Sequence, residues 1–181
     1  MKYTNFICII AKKTLSLQSI MTFTTSAIVL ALHKKGDNTT FLEAYTRYAG
    51  RATFLVYGNR WKSVLQPMAL VELSVQQAPN REIGTLNSAE LNFVPQHHDM
   101  PHQCMALFMA ETLAQTMRHP MADEELFRWI EEKIKQLDRL DELADFPNSF
   151  LTGLSQSLGY GGTILDEWHH LKSLDIIQTI L

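Results

Sequence analysis

An α+β architecture, with a small five-stranded barrel followed by an all-helical domain, is what this 181-residue sequence predicts. Three observations carry that expectation. Between Ile28 and Phe93, short apolar and β-branched runs alternate with turn residues, and no helical period long enough for a crossover separates them. From Met105 onward the apolar repeat changes from two residues to the helical spacing. A content of 46% hydrophobic and 19% charged residues is that of a chain that buries a core, which excludes disorder of the chain as a whole.

The first strand opens at Ile28-Val29-Leu30, and the polar Lys34-Lys35-Gly36-Asp37-Asn38 turns into a second over residues 39–46. Arg47-Tyr48-Ala49-Gly50-Arg51 hands over to a third, residues 52–57, which Gly58-Asn59-Arg60 closes. Leu65-Gln66-Pro67 introduces the fourth, residues 68–75, where Ala69, Val71, Leu73 and Val75 share one face at the period of a half-buried strand. Residues 76–81, with Pro79-Asn80, read as a hairpin loop. Residues 82–93 supply the fifth strand, with a bulge expected at Gly84.

Pro95 and Pro101 bracket the polar His97-His98-Asp99, so residues 96–101 read as a linker between a barrel domain (21–95) and a helical domain (102–181). Met105, Phe108, Met109, Thr112, Leu113, Thr116 and Met117 recur at helical spacing up to His119-Pro120. A second helix is expected to start after Asp123 and run to about Leu143, with Leu126, Ile130, Ile134 and Leu137 as its apolar stripe and acids crowding its first turn, where the dipole favours them. Pro147 suits the first turn of a third helix, whose apolar face is Phe150, Leu151, Leu154 and Leu158 and which Gly159-Tyr160-Gly161-Gly162 ends. A further helix fits residues 163–181 around Leu165, Trp168, Leu171 and Leu174.

The net charge of −3 conceals a division: residues 21–95 carry seven Lys/Arg against five Asp/Glu, whereas residues 96–181 carry six against fourteen. The front half can meet phosphates and the back half repels them, although an acidic helical surface also serves solubility. Cys8 and Cys104 stand far apart with no partner at metal-ligand spacing, so neither a disulfide framework nor a four-cysteine zinc site can be built. Phe6 to Ile10 is too short an apolar run for a signal peptide and no stretch approaches the roughly 20 apolar residues of a membrane span.

The order of Ile28-Val29-Leu30, Lys34-Lys35-Gly36-Asp37, Tyr45-Thr46-Arg47-Tyr48-Ala49-Gly50-Arg51, Tyr57-Gly58-Asn59-Arg60 and Leu65-Gln66-Pro67, followed by Ala110-Glu111-Thr112-Leu113 and Leu158-Gly159-Tyr160, resembles the bacterial recombination mediator family RecO. That resemblance covers roughly residues 24–160. It implies that the barrel is an oligonucleotide/oligosaccharide-binding (OB) fold, with a helical domain after it. It also implies a non-enzymatic repair mediator that binds single-stranded DNA, with duplex DNA as a further ligand, anneals complementary strands, recognises the tail of single-strand-binding protein and works with RecR to help RecA load. No nucleotide or metal cofactor is implied, and the setting implied is cytoplasmic, at the nucleoid. The chain departs from the family pattern by lacking a late cysteine zinc knuckle, and its helical domain reads as abbreviated. Because the resemblance begins just after Met21, residues 1–20 read as an upstream extension, expected to be poorly ordered or loosely attached.

A barrel of this type binds single strands through a cationic groove and aromatic faces on which bases stack. Lys34, Lys35, Arg47, Arg51, Arg60 and Lys62 all fall in or beside turns, with Arg51 and Arg60 best placed at strand ends. Tyr48 and Trp61, in turn segments beside those cations, are the stacking candidates, while Tyr45, Phe54 and Tyr57 read as core or half-core. The competing account is that these turns are cationic only because they are solvated, which leaves an interaction adaptor whose barrel binds protein instead of nucleic acid. For the acidic tail of single-strand-binding protein the resemblance implies an apolar groove beside a base, for which Leu113, Met117, Arg118, Arg128 and Trp129 are the candidates, unless the first two are ordinary core. His97, His98 and His102 with Asp99 and Cys104, or His169-His170, fit no common zinc spacing. The chain carries no phosphate loop, no G-x-S-x-G elbow and no H-E-x-x-H, so catalysis finds no support.

Overall fold

The computed structural model describes residues 21–160 apart from Asn80, Glu82, His97, His98, Arg118 and His119. The expectations for residues 1–20, for the histidines at 97, 98, 169 and 170, for Arg118 and for a helix within 163–181 lie outside the described residues. Five strands, β1 (Met21–Lys34), β2 (Thr39–Thr46), β3 (Gly50–Tyr57), β4 (Leu70–Gln77) and β5 (Gly84–Phe93), close a barrel in the order β1-β2-β3-β5-β4. The OB architecture expected from the sequence is thus present.

β1 starts earlier than Ile28 because it serves two neighbours. Its first half pairs with β4, from Met21↔Gln77 to Ile28↔Leu70, and its second half with β2, from Ala27↔Thr46 to Lys34↔Thr40. An irregularity between Val29 and Ala31 lets the strand bend from one partner to the other. The fourth strand begins at Leu70 rather than at Met68, since Met68 adopts a left-handed backbone (φ 62°) inside a turn closed by Ala69 N–H to Gln66 O at 3.0 Å. Met68 N–H then donates to Val29 O at 2.8 Å, and its fully buried side chain repays the unusual conformation. Gly84 carries no bulge. It lies where β5 meets β3 in the parallel pairing Phe54↔Gly84, and a Cβ there would stand 2.5 Å from Val75 Cγ1, so the seam needs a glycine. The register shifts of β4 against β5 fall instead between Leu70 and Val71 and between Ser74 and Val75.

Among the described residues three helices follow: α1 (Met100–Thr116), α2 (Glu124–Leu137) and α3 (Phe146–Ser157). α1 begins within the expected linker. Asp99 caps it by accepting from His102 N–H, and Pro101 occupies the first turn, where a missing N–H costs nothing. Asp123 caps α2 at Leu126 N–H (2.9 Å), and Leu126, Ile130, Ile134 and Leu137 are all buried, as their spacing predicts. α2 ends at Leu137 instead of reaching 143 because its continuation is captured from elsewhere. Asp138 accepts from Gln96 N–H at 2.6 Å, and the Leu140 carbonyl bonds His102 Nε2 at 2.8 Å.

Two apolar clusters form. Ala27, Val29, Leu42, Phe54, Val56, Val71, Leu73 and Val75 fill the barrel. The second cluster crosses between the two halves: Ile28, Leu30, Tyr45, Met68 and Leu70 on the outside of the barrel pack with Met109, Leu113, Phe127, Ile130, Ile134 and Phe150 of the helices.

Candidate nucleic-acid interface

The six expected cations divide into two groups at opposite ends of β2 and β3. Lys34 and Lys35 sit at the β1–β2 turn, while Arg60 and Lys62 follow the end of β3. The two segments are joined, because Gly58 N–H donates to Asn38 O at 3.0 Å with Gly58 at φ 77°, a backbone that glycine reaches without strain. Thr39 pairs with Tyr57 across the ladder, and both Lys35 N–H (3.0 Å) and Gly36 N–H (3.3 Å) donate to Thr39 O. Lys34, Lys35, Arg60 and Lys62 are exposed and hold no ion pair among the described residues. The Lys35 ammonium stands 4.7 Å from the Phe41 ring centroid, and the Arg60 guanidinium 4.4 Å from that of Trp61 while donating to Asn87 O at 3.0 Å.

Arg47 and Arg51 lie at the other end of those strands, roughly 20 Å away at the usual rise per residue, and face the helices. Arg51 donates to Glu43 at 2.7 Å and to the Ala114 carbonyl at 2.6 Å. Arg47 covers the Phe127 ring at 4.9 Å, reaches Glu131 at 3.5 Å and lies 3.8 Å from Glu124. The six expected cations therefore do not line one groove: these two guanidinium groups fasten the barrel to α1 and α2, and their charge is answered by carboxylates. Tyr48, 71% exposed, belongs to this far end, bordering a cleft of about 550 Å³ with Phe23, Arg51, Phe54 and Ile83. Trp61 is at the cationic rim but half-buried against the barrel interior.

Tyr57, expected as core or half-core, is 52% exposed. The signal was present in the sequence, since Phe54 and Tyr57 are an odd number of positions apart and must face opposite sides of one strand. Phe54 points in and Tyr57 out, at the end of β3 that leads through Gly58 into the Arg60 segment. Phe41, half-buried on the same outer face, was not singled out at all.

In the helical half, Leu113 and Met117 are buried (0% and 6% exposed), so both are core and neither can line a peptide groove. Arg128 is exposed, whereas Trp129 is half-buried, stacked on Phe150 at 5.5 Å with the Lys133 ammonium 5.8 Å from its ring. Trp129 also fills the space that a Cβ on Gly153 would need. His102 and Asp99 form a hydrogen-bonded cap and no metal cluster, and no group of three His, Cys, Asp or Glu among the described residues could hold an ion. The ring nitrogens of His102 meet the Leu140 carbonyl and the Asp99 carboxylate, and these contacts, the first foremost, raise its pKa despite partial burial. Burial raises that of Tyr45, which stacks on Phe127 at 6.1 Å. Among the described residues no helix is long and apolar enough to cross a membrane.

Residues 21–93 match the family model described as Recombination protein O N terminal. The chain is 34% identical over 163 residues to the DNA repair protein RecO of Bacteroides fragilis, a match covering 85% of this chain and 67% of that one. To the proteins of the same name from Phocaeicola vulgatus and Christiangramia forsetii it is 31% and 27% identical, over 75% of its own length and 60% and 61% of theirs. The chain thus spans between three-fifths and two-thirds of these relatives.

Proposed function

The chain belongs to the RecO family, and on that premise we propose that it is a non-enzymatic mediator of DNA repair and recombination that holds single-stranded DNA on the rim formed by Lys34, Lys35, Arg60 and Lys62. A role in repair and recombination comes with the family. The observation that supports the rim as the site is the joining of two cationic loops by the Gly58–Asn38 hydrogen bond, with no carboxylate paired to them among the described residues and aromatic rings between them. Long side chains on a fixed backbone can follow a phosphate chain without disturbing the barrel.

The same reading includes annealing of complementary strands, contact with duplex DNA, and cooperation with the single-strand-binding protein tail and RecR in loading RecA, in the cytoplasm at the nucleoid. With Leu113 and Met117 assigned to the core, Arg128 and Trp129 of α2, together with Arg118, are the candidates left to meet an acidic tail. The test is fluorescence anisotropy of labelled single strands against salt. Four phosphate contacts give a log-log slope of roughly −3, and changing Lys34, Lys35, Arg60 and Lys62 together to Ala should abolish most of it. Binding by that variant equal to wild type, or a flat salt profile for wild type, would overturn the reading in favour of a protein-binding adaptor.

A further inference from the structure

We infer that Tyr57 is the platform on which unpaired bases stack in this interface, so that the rim takes single strands in preference to duplex; the inference rests on the DNA-binding role proposed above. Three aromatic residues stand near the rim cations, and two of them are already covered. Trp61 has Arg60 over its ring and packs against the barrel interior, and Phe41 has Lys35 over its ring. Tyr57 is half exposed and has neither a ring contact nor a cation contact among the described residues.

Its position is also fixed. It is the last residue of β3, directly opposite Thr39, whose carbonyl holds the Lys35 turn, and the next residue, Gly58, ties the strand end to Asn38. An aromatic ring standing on a rigid strand between two cationic loops meets the requirement for a base-stacking step: phosphates run past the cations while a base turns onto the ring. Every base has a π-face, so the contact does not depend on sequence. In a duplex those faces are occupied by neighbouring bases, and Tyr57 then contributes nothing. Tyr57 gains little from the core, so the fold itself supplies no strong reason for a large ring there.

Anisotropy with three labelled probes tests this: oligo-dT, a duplex of equal length, and an oligonucleotide of abasic sites that offers phosphates without bases. Tyr57→Ala should weaken oligo-dT binding about tenfold, in the range measured for loss of one stacked base, and leave duplex and abasic binding unchanged. Tyr57→Phe should retain wild-type binding, because the ring and not the hydroxyl acts. Melting temperatures confirm that the variants fold. Should Tyr57→Ala melt early, Tyr57→Thr, which keeps a strand-favouring residue, carries the same comparison. Wild-type affinity of the ring-deleted variant for oligo-dT, or an equal loss on all three probes, overturns the inference. If the variant lacking the four cations binds oligo-dT like wild type, the proposed function itself falls.

Discussion

Single residues separate what fastens the molecule from what is free to bind. Arg51 and Arg60 look alike in the sequence, each at a strand end, yet Arg51 reaches two buried-side acceptors and Arg60 only an exposed carbonyl. Changing Arg51 to Ala leaves the half-buried Glu43 carboxylate and the Ala114 carbonyl without that donor, at a cost of about 1–3 kcal/mol. Thermal unfolding should register the loss while DNA anisotropy stays at wild type; the reverse pattern would return Arg51 to the interface. Part of this was legible. Glu43 lies diagonal to Arg51 once the hairpin fixes Tyr45↔Arg51, but the Ala114 carbonyl comes from a helix whose docking no local pattern specifies. His102 makes a second residue-scale case. Both ring nitrogens face acceptors, Asp99 and the Leu140 carbonyl, and only the imidazolium can donate to both. Its folded pKa is raised above the ordinary 6.5, so the stabilisation is complete below that value and is lost as pH rises through the folded pKa. Between pH 6 and pH 8.5 the wild type should therefore lose more melting temperature than His102→Gln. Parallel profiles would show that the proton plays no part.

At the scale of elements, the barrel is strong everywhere except at one seam. Among the described residues β3 meets β5 only through Phe54↔Gly84 and Leu55↔Thr85, whereas β2 and β3 pair along their full lengths. Gly84→Ala forces its new methyl against Val75, and overpacking of this kind costs about 1–3 kcal/mol. Hydrogen exchange should quicken first in the β3 and β5 amides of that variant. Uniform protection would mean that Val75 moves aside without cost. The seam also shows how far elements can be read from sequence. β2 and the buried stripe of α2 follow from alternation and helical spacing, which are local. The role of Gly84 is not legible locally, because a glycine inside a strand signals either a bulge or a close approach, and only the parallel closure decides between them. The left-handed Met68 and the early end of α2 have the same origin: Val29, Gln96 and His102 impose them across the fold.

For the whole molecule, the division between barrel and helices that composition and proline placement suggest is crossed by a common core. Ile28, Leu30, Tyr45, Met68 and Leu70 point away from the barrel interior and are nonetheless buried, because α1 and α2, backed by α3, form one continuous apolar cluster with them. Arg47 and Arg51 reinforce the junction with contacts to Glu131, Phe127 and Ala114. A barrel freed of its helices would expose all five apolar side chains, each worth about 1.5–3 kcal/mol when fully buried, a sum comparable to the net stability of a domain. Residues 21–95 alone should therefore be unfolded or aggregated, while the intact chain unfolds in one cooperative transition that circular dichroism and tryptophan fluorescence report at the same temperature. Two resolved transitions, or a soluble isolated barrel with native dichroism, would refute the common core. The arrangement bears on function too. The helices meet Arg47 and Arg51 and carry the acidic surplus, so the Lys34, Lys35, Arg60 and Lys62 rim lies at the other end of β2 and β3, away from those helix contacts, the separation that the proposed hold on a polyanion requires.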